Sequence, residues 1–287
     1  MLLQTLSWFP FSLAAVVLFG VSMAFYKFPS VKKYSKFATT FWTLLVSVVL
    51  AFIFFFSYLP LTTSGMLWLA FLWGISFPSI MLLQMYALEH VDTNVLFPVT
   101  TTASLVVTVL VGIFAFGEYV TLLQGIGISL AVATVFLFLY KGGTLQFASL
   151  VLSVGSAIIF VSAFNKVLQK IVADSFDIHA FQIYQYLFAT LISAAILFLA
   201  HRKNWKQELF SGAIKIGSII GVFGFLGGYA LFIALTKGPF PLVTAIHSLY
   251  IFFTALAAYL IFKEELTARK MLLIALAVAA VLLIRLG

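Results

Sequence analysis

Residues 116–139, FGEYVTLLQGIGISLAVATVFLFL, decide the fold of this chain because the same pattern occurs twice. They align without a gap with residues 262–285, FKEELTARKMLLIALAVAAVLLIR, which lie 146 positions further along the chain. Each copy is a short charged segment followed by an apolar run close to the roughly 20 residues that a helix needs to cross a bilayer. The two copies therefore predict an internally duplicated membrane protein.

The composition agrees with this prediction. Of the 287 residues 64% are hydrophobic and only 8% are charged, and the mean hydropathy is +1.19, whereas about a quarter of the residues of a soluble domain are charged. The apolar residues form long uninterrupted runs, unlike the short alternating segments of transmembrane strands. We therefore expect an all-α integral membrane protein that passes several times through the lipid bilayer of the cell (inner or plasma) membrane.

Charged residues, prolines and glycines divide the chain into ten predicted spans. These cover residues 9–27, 37–59, 64–88, 94–115, 119–140, 145–168, 178–200, 212–236, 240–262 and 266–286. The connections are too short to hold a separate domain, so function is expected among the helices. Of the 16 basic residues, 12 lie in loops after odd-numbered spans, and the positive-inside rule then places both termini outside. We read the net charge as this orientation signal and expect no nucleic-acid partner.

The duplication extends beyond the first motif. VSMAFYK (21–27) at the end of span 1 matches VSAFNK (161–166) near the end of span 6, and spans 3, 4 and 5 match spans 8, 9 and 10. Because each half has an odd number of spans, the second half must enter the membrane from the opposite side. The sequence thus predicts ten transmembrane helices in two inverted five-helix repeats, residues 1–141 and 142–287. In secondary transporters built this way, the binding site lies between the halves.

Two polar stripes, related by the repeat, mark the predicted binding site. Their members share one helical face in span 4 and one in span 9, and they are Thr101, Ser104, Thr108, His247, Tyr250 and Thr254. Such stripes would line an aqueous cavity and hydrogen-bond a small polar solute. The alternative is that the hydroxyls bond to carbonyls of their own helices and serve packing. Further cavity candidates on spans 3 and 7 are Trp73, Gln84, Gln182 and Gln185.

The motif shared by spans 1 and 6 ends in a lysine in both copies. Lys27 follows Tyr26, and Lys166 follows Asn165. One hypothesis makes these four residues a symmetric pair of gates at the two cavity mouths, which would favour anionic or zwitterionic solutes. The alternative is that each lysine extends to the lipid headgroups and to the C-terminal dipole of its helix.

No feature of the sequence indicates catalysis. All eight acidic residues lie at span ends or in loops, and no metal-binding or nucleotide-binding motif lies within a span. We therefore predict that the protein is not an enzyme and that it needs no metal or other cofactor. Glu118, just before span 5, is expected to stabilise the N-terminus of that helix.

Two segments carry a family resemblance: FPVTTTASLVVTVLVGIFAFGEYVTLLQGIGI (97–128) closes the first half, and AIHSLYIFFTALAAYLIFKEELT (245–267) closes the second. With the five-plus-five arrangement they resemble the drug/metabolite transporter superfamily, in particular its EamA-like permeases. TTFWTLLV (39–46), together with 98–118, is faintly similar to the glucose/ribose porter branch of that superfamily. The resemblance implies that spans 1–4 and 6–9 surround a central cavity, that spans 5 and 10 are peripheral, and that the termini are cytoplasmic.

The function expected from these patterns is transport. The protein would move a small polar metabolite, an amino acid or a related compound, by alternating access between the two repeats. The alternatives are a sugar uptake facilitator of the same superfamily, or a non-transporting membrane receptor or enzyme. The expected partners are a small-molecule substrate and the lipid bilayer, and the oligomeric state does not follow from the sequence.

Overall fold

The computed structural model describes residues 8–90, 93–139, 149–262 and 267–287, and within these ranges it contains helices and no strand. The first six long helices are α1 Phe9–Phe25, α2 Lys36–Phe55, α3 Ser64–Ala87, α4 Thr93–Phe114, α5 Leu122–Leu139 and α6 Ser149–Ser175. The others are α7 Ile178–Ala200, α8 Ala213–Lys237, α9 Phe240–Ser248, α10 Tyr250–Phe262 and α11 Ala268–Leu286. Short helices at Phe28–Lys32, Phe56–Leu61 and Trp205–Leu209 lie in the connections.

Helix length and composition identify a multi-pass membrane protein. Among the described residues, seven helical stretches have at least 18 residues and are apolar enough to cross a bilayer. Three shorter apolar pieces lie within α4, α5 and α11. The total of ten transmembrane helices stays a prediction, and the predicted boundary between residues 141 and 142 lies outside the described residues.

Short polar side chains fix where several helices begin. Ser35 Oγ accepts the backbone N–H of Ala38 at 3.3 Å at the start of α2, and Thr63 Oγ1 accepts that of Met66 at 3.4 Å at the start of α3. The Asp177 carboxylate accepts two backbone N–H groups at the start of α7. These caps satisfy donors of the first turn that have no partner within the helix.

The sixth span is longer than the sequence pattern predicted. Helix α6 continues to Ser175 and does not end near residue 168. Residues 167–175 contain no proline or glycine, and Lys170 forms an ion pair at 2.9 Å with Asp174, one turn further along. Lys166 therefore lies about 13 Å before the helix end, at a rise of about 1.5 Å per residue. At that distance it does not meet the C-terminal dipole.

The ninth span, expected as a single helix, is divided at Leu249 into α9 and α10. Leu249 N–H bonds to the carbonyl of Ile246 at 3.0 Å, and Phe252 N–H bonds to that of Leu249 at 3.1 Å, so the turn is tightened. Just before it, the hydroxyl of Ser248 donates to the carbonyl of Ala245 at 2.6 Å. Such bonds from serine to its own helix bend membrane helices.

Helix α8 packs against α1, α2 and α6. Gly217 and Gly221 allow the close approach of α2, because a Cβ atom there would lie 2.7 and 2.6 Å from the carbonyl oxygens of Thr39 and Thr43. The hydroxyl of Ser47 uses this proximity to donate to the carbonyl of Gly221 at 3.2 Å. The spacing of small residues in α8 thus serves packing.

The remaining contacts place a ring of helices around a central space. Helix α1 packs against α9 and α10, α6 packs against α3 and α4, and α7 packs against α2 and α3. Helix α4 also contacts α9, while α5 and α11 pack against each other at the edge of the bundle.

Candidate functional site

A cavity of about 100 Å³ lies at the centre of this ring, well above the roughly 10–15 Å³ that a single water molecule needs. Its wall is built by α1, α3 and α4 from the first half and by α6, α8, α9 and α10 from the second. The polar lining residues are Tyr26, Gln84, Thr100, Thr101, Ser104, Ser162, Asn165, Lys166, Gln169, His247 and Tyr250. The apolar and indole side chains are Phe19, Met23, Trp73, Phe77, Ile80 and Leu231.

The two polar stripes meet at one side of the cavity. The hydroxyls of Thr101 and Tyr250 lie 2.9 Å apart and form a hydrogen bond between α4 and α10. Ser104 and His247 line the wall beside them. Two of the six stripe residues are turned away: Thr108 and Thr254 donate to carbonyls of their own helices at 3.0 and 3.1 Å and are absent from the wall.

Aromatic rings form the apolar part of the wall. Trp73 and Phe77 stack with ring centroids 4.1 Å apart, and Phe19 meets His247 edge to face at 4.9 Å. The His247 ring also lies 5.4 Å from that of Tyr250. Stacked and edge-on rings of this kind hold one another in place and offer flat surfaces to a bound molecule.

Several buried polar atoms around the cavity have no hydrogen-bond partner among the described residues. Nine buried side-chain atoms lack a partner in that part of the chain. Five of them belong to lining residues: Trp73 Nε1, Ser104 Oγ, Asn165 Nδ2, and both ring nitrogens of His247. Leaving such an atom unpaired costs about 1–3 kcal/mol. These unpaired donors and acceptors belong to residues that line the cavity, and water or a solute that reached them would satisfy them.

Helix α6 supplies the only lysine or arginine of the cavity wall in the part of the chain that the structure describes. Lys166 is half-buried and forms no ion pair or hydrogen bond with any other residue that the structure describes. Beside it, Asn165 Oδ1 accepts a hydrogen bond from Ser76 Oγ at 2.5 Å, which fixes the amide between α6 and α3. No aspartate or glutamate lines the described part of the cavity.

Comparison with known sequences identifies this arrangement. A sequence model of the EamA-like transporter family matches residues 6–140 and again residues 148–286. The chain belongs to the EamA-like transporter family. This confirms the resemblance drawn from the sequence, and membership indicates a membrane transporter of the drug/metabolite type. No curated protein sequence matches the chain.

Solved structures give an independent view of the fold of this EamA-like protein, since 29 of their chains match it. One of them, described as the crystal structure of a protein, covers 95% of this chain and 96% of its own chain, with a TM-score of 0.70 and 15% sequence identity. At that identity the similarity shows the fold alone.

Most, but not all, of the sequence-predicted site residues of the EamA-like chain lie together. Nine of the fourteen candidates line the cavity: Tyr26, Trp73, Gln84, Thr101, Ser104, Asn165, Lys166, His247 and Tyr250. The other five are absent from its wall: Lys27, Thr108, Gln182, Gln185 and Thr254. Gln182 and Gln185 are buried on α7, which packs against α2 and α3. Lys27 follows the end of α1 and precedes the short helix Phe28–Lys32.

Three polar lining residues, Thr100, Ser162 and Gln169, escaped the sequence prediction, although a signal existed for the last two. Ser162 and Gln169 flank Lys166 on α6 with spacings of four and three residues, which is the period of one helical face. The apolar lining residue Phe19 carried no comparable signal because it is one of 33 phenylalanines in the chain.

A second polar cluster lies one turn further along α6. Lys170 Nζ forms ion pairs with Glu118 at 3.2 Å and with Asp174 at 2.9 Å. The second oxygen of the Glu118 carboxylate accepts the backbone N–H of Phe240 at the first turn of α9. The position of Glu118 in the sequence had suggested that it stabilises the start of α5. That prediction was wrong, because its carboxylate stabilises the start of α9. At the start of α5, Thr121 and Gln124 cap each other's backbone N–H groups.

Proposed function

We propose that this EamA-like protein is a secondary transporter that moves a small polar metabolite, an amino acid or a related compound, by alternating access. In this mechanism two inverted five-helix repeats, residues 1–141 and 142–287, rock around a site that stays fixed between them.

The origin of the cavity wall supports this proposal. Spans 1, 3 and 4 contribute from one half, and their repeat counterparts, spans 6, 8 and 9, contribute from the other. The packing contacts show the same relation between the halves. The contact of α1 with α8 corresponds to that of α6 with α3, and the contact of α2 with α8 corresponds to that of α7 with α3. A site shared equally by two related halves is what rocking between two orientations requires.

The observation that carries the proposal is the set of unpaired polar atoms in residues that line the cavity. Ser104 Oγ, Asn165 Nδ2, Trp73 Nε1 and the imidazole of His247 lack partners among the described residues. A membrane interior offers no water to satisfy such groups. A hydrated path through the cavity, with a solute that replaces the water, gives them partners, whereas a receptor or scaffold would gain stability by pairing them internally.

A sugar facilitator is the second candidate, and the stacked Trp73 and Phe77 favour it. Aromatic faces and hydroxyl groups suit a neutral sugar ring. The unpaired charge of Lys166 argues against it, because a neutral solute leaves that charge uncompensated.

The test uses the absence of cysteine from the natural chain. Single cysteines replace Thr101, Ser104, His247 and Tyr250, and intact cells are treated with a membrane-impermeant thiol reagent in the presence or absence of candidate metabolites. We expect labelling from one side and protection by the transported class of solute.

The matched controls are cysteines at Thr108 and Thr254, which belong to the same stripes but are absent from the wall. These should label slowly or not at all. If the four lining positions stay as unreactive as the two controls in folded protein, the stripes serve packing and the transport proposal fails.

A further inference from the structure

We propose that the transported substrate is a small monocarboxylate with a flat apolar body, and that Lys166 binds its carboxylate. This inference rests on the proposed transport function but departs from the substrate class named there, since it selects net-negative acids over zwitterionic amino acids and neutral sugars.

Lys166 is a charged residue of the cavity wall. It lies within a membrane-spanning helix, faces the cavity, and has no ion-pair partner in the part of the chain that the structure describes. A charged side chain inside a membrane costs several kcal/mol unless it is paired, so such residues face polar cavities and act on ions or substrates. One turn away, Lys170 has two carboxylate partners. The sequence therefore supplies carboxylates to one lysine of this face and leaves the other available.

Lys166 and its neighbour Asn165 offer hydrogen-bond donors to a ligand. The ammonium has only donors, and the neighbouring Asn165 presents an unpaired N–H₂ group because Ser76 occupies its carbonyl oxygen. Lys166 and Asn165 both line the cavity, and their N–H donors match an ionised carboxylate, which only accepts hydrogen bonds.

The single lysine of the described wall sets the charge of the ligand. One lysine balances one negative charge, so a phosphate dianion would bring a second charge that nothing on the described wall neutralises. A zwitterion would bring an ammonium, and no aspartate or glutamate lines the described part of the cavity to receive it. A monoanion leaves the loaded cavity neutral, which is the state that burial within a membrane favours.

Aromatic rings line another part of the wall. Trp73 and Phe77 form a stacked pair, and Phe19 stands edge-on to His247. Since these rings offer apolar surface but few polar atoms, they suit a flat apolar body attached to the carboxylate.

The experiment compares four phenyl-bearing probes that differ in charge, together with a sugar. Hydrocinnamate is the monoanion, hydrocinnamamide its neutral isostere, phenylalanine the zwitterion and phenyl phosphate the dianion, and glucose represents the sugars. Binding to the full-length protein in detergent is measured by the rise in unfolding temperature, and uptake is measured in proteoliposomes. We expect hydrocinnamate to bind and enter, with at least tenfold weaker binding of every other probe.

The variants separate recognition from folding. Lys166→Met should lose at least tenfold in hydrocinnamate affinity and no longer distinguish the acid from its amide, while Lys166→Arg keeps the preference. The exposed Lys215 gives the control, since Lys215→Met removes the same charge away from the cavity and should behave as the natural protein. If Lys166→Met does not fold, the relative affinities for hydrocinnamate and hydrocinnamamide in the natural protein and in Lys166→Arg still test the proposal.

The outcomes distinguish the two proposals. If phenylalanine, glucose or phenyl phosphate enters proteoliposomes and hydrocinnamate does not, the substrate class is wrong although the protein transports. Equal affinity for the acid and the amide, no binding of any probe to folded protein, or an unchanged preference in Lys166→Met would also overturn the monocarboxylate site. Failure of the cysteine labelling described above overturns transport itself.

Discussion

Helix α6 contains two lysines four residues apart, Lys166 and Lys170, and their surroundings differ in almost every respect. Around Lys166 the helix faces the central cavity, beside an unpaired amide and away from any described carboxylate. Around Lys170 the helix faces Glu118 and Asp174, and the lysine is 7% exposed. We refer to the first region as the cavity region and to the second as the ion cluster.

The difference shows how position and partner together define the role of a membrane lysine. In the ion cluster the charge is compensated within the protein, and Glu118 links the loop before α5, helix α6 and the first turn of α9. In the cavity region the described residues offer no such compensation, and our proposal assigns the balancing charge to a ligand. On that proposal the ion cluster serves stability and the cavity region serves recognition.

The largest expected effect is on stability and tests the ion cluster. Lys170→Met removes the shared partner of Glu118 and Asp174 and should cost about 3 kcal/mol of folding free energy. Most of this loss should come from Glu118, whose carboxylate is largely buried, whereas water solvates the exposed Asp174. In detergent the unfolding temperature should fall by roughly 5–10 °C. Glu118→Gln still accepts the N–H of Phe240, so its unfolding temperature should fall less than that of Lys170→Met. An unfolding temperature equal to that of Lys215→Met would refute a stabilising role for the ion cluster.

The next effect sharpens the contrast within the same helix. Lys166→Met should leave the unfolding temperature unchanged or raise it, since it removes an unpaired charge from the membrane interior. It should weaken hydrocinnamate binding by at least tenfold, about 1.4 kcal/mol. Thermal unfolding and ligand titration on the same preparation measure both quantities. A fall in stability as large as that of Lys170→Met would mean that Lys166 is also a structural residue.

A third change converts the cavity region into a copy of the ion cluster. Ser162→Asp places a carboxylate one turn before Lys166, as Asp174 stands one turn after Lys170. The new pair should compete with the substrate carboxylate and weaken binding by on the order of tenfold. Ser162→Asn is the uncharged control and should weaken binding less than Ser162→Asp, since it adds similar bulk without the carboxylate. Tighter hydrocinnamate binding in Ser162→Asp would contradict the assignment of Lys166.

The smallest effect concerns the repeat counterpart of Lys166. Lys27 is absent from the cavity wall, so Lys27→Met should change uptake of the preferred probe by less than about twofold. Initial uptake rates in proteoliposomes, corrected for the amount of reconstituted protein, measure this. A loss as large as that of Lys166→Met would restore the hypothesis of two symmetric gates.

Much of the candidate site followed from sequence patterns. The repeat-related stripes identified Thr101, Ser104, His247 and Tyr250, because polar residues at helical spacing are conspicuous in apolar runs. The same pattern included Thr108 and Thr254, whose hydroxyls bond to their own helices. Spacing alone does not separate the two cases, since a hydroxyl within a helix always has a carbonyl of the previous turn in reach.

Other features depended on residues that are distant in sequence. Glu118 preceded α5 and suggested a cap for that helix, yet its carboxylate reaches Lys170 and the backbone of Phe240. The end of span 6 was set too early: Asp174, one partner of Lys170, is only four residues away, but Glu118, the other partner, is distant in sequence. Lys27 and Lys166 looked equivalent for the same reason.

The sequence by itself determined that the chain is helical, lies in a membrane and is duplicated. These properties follow from the length and polarity of each segment, because a segment in hydrocarbon must satisfy its own backbone groups wherever its neighbours lie. Only the tertiary structure decided which lysine faces the cavity, which hydroxyls are unpaired and which helix Glu118 caps. Those outcomes depend on the rotation of each helix and on contacts between distant residues, and packing of the whole bundle fixes both.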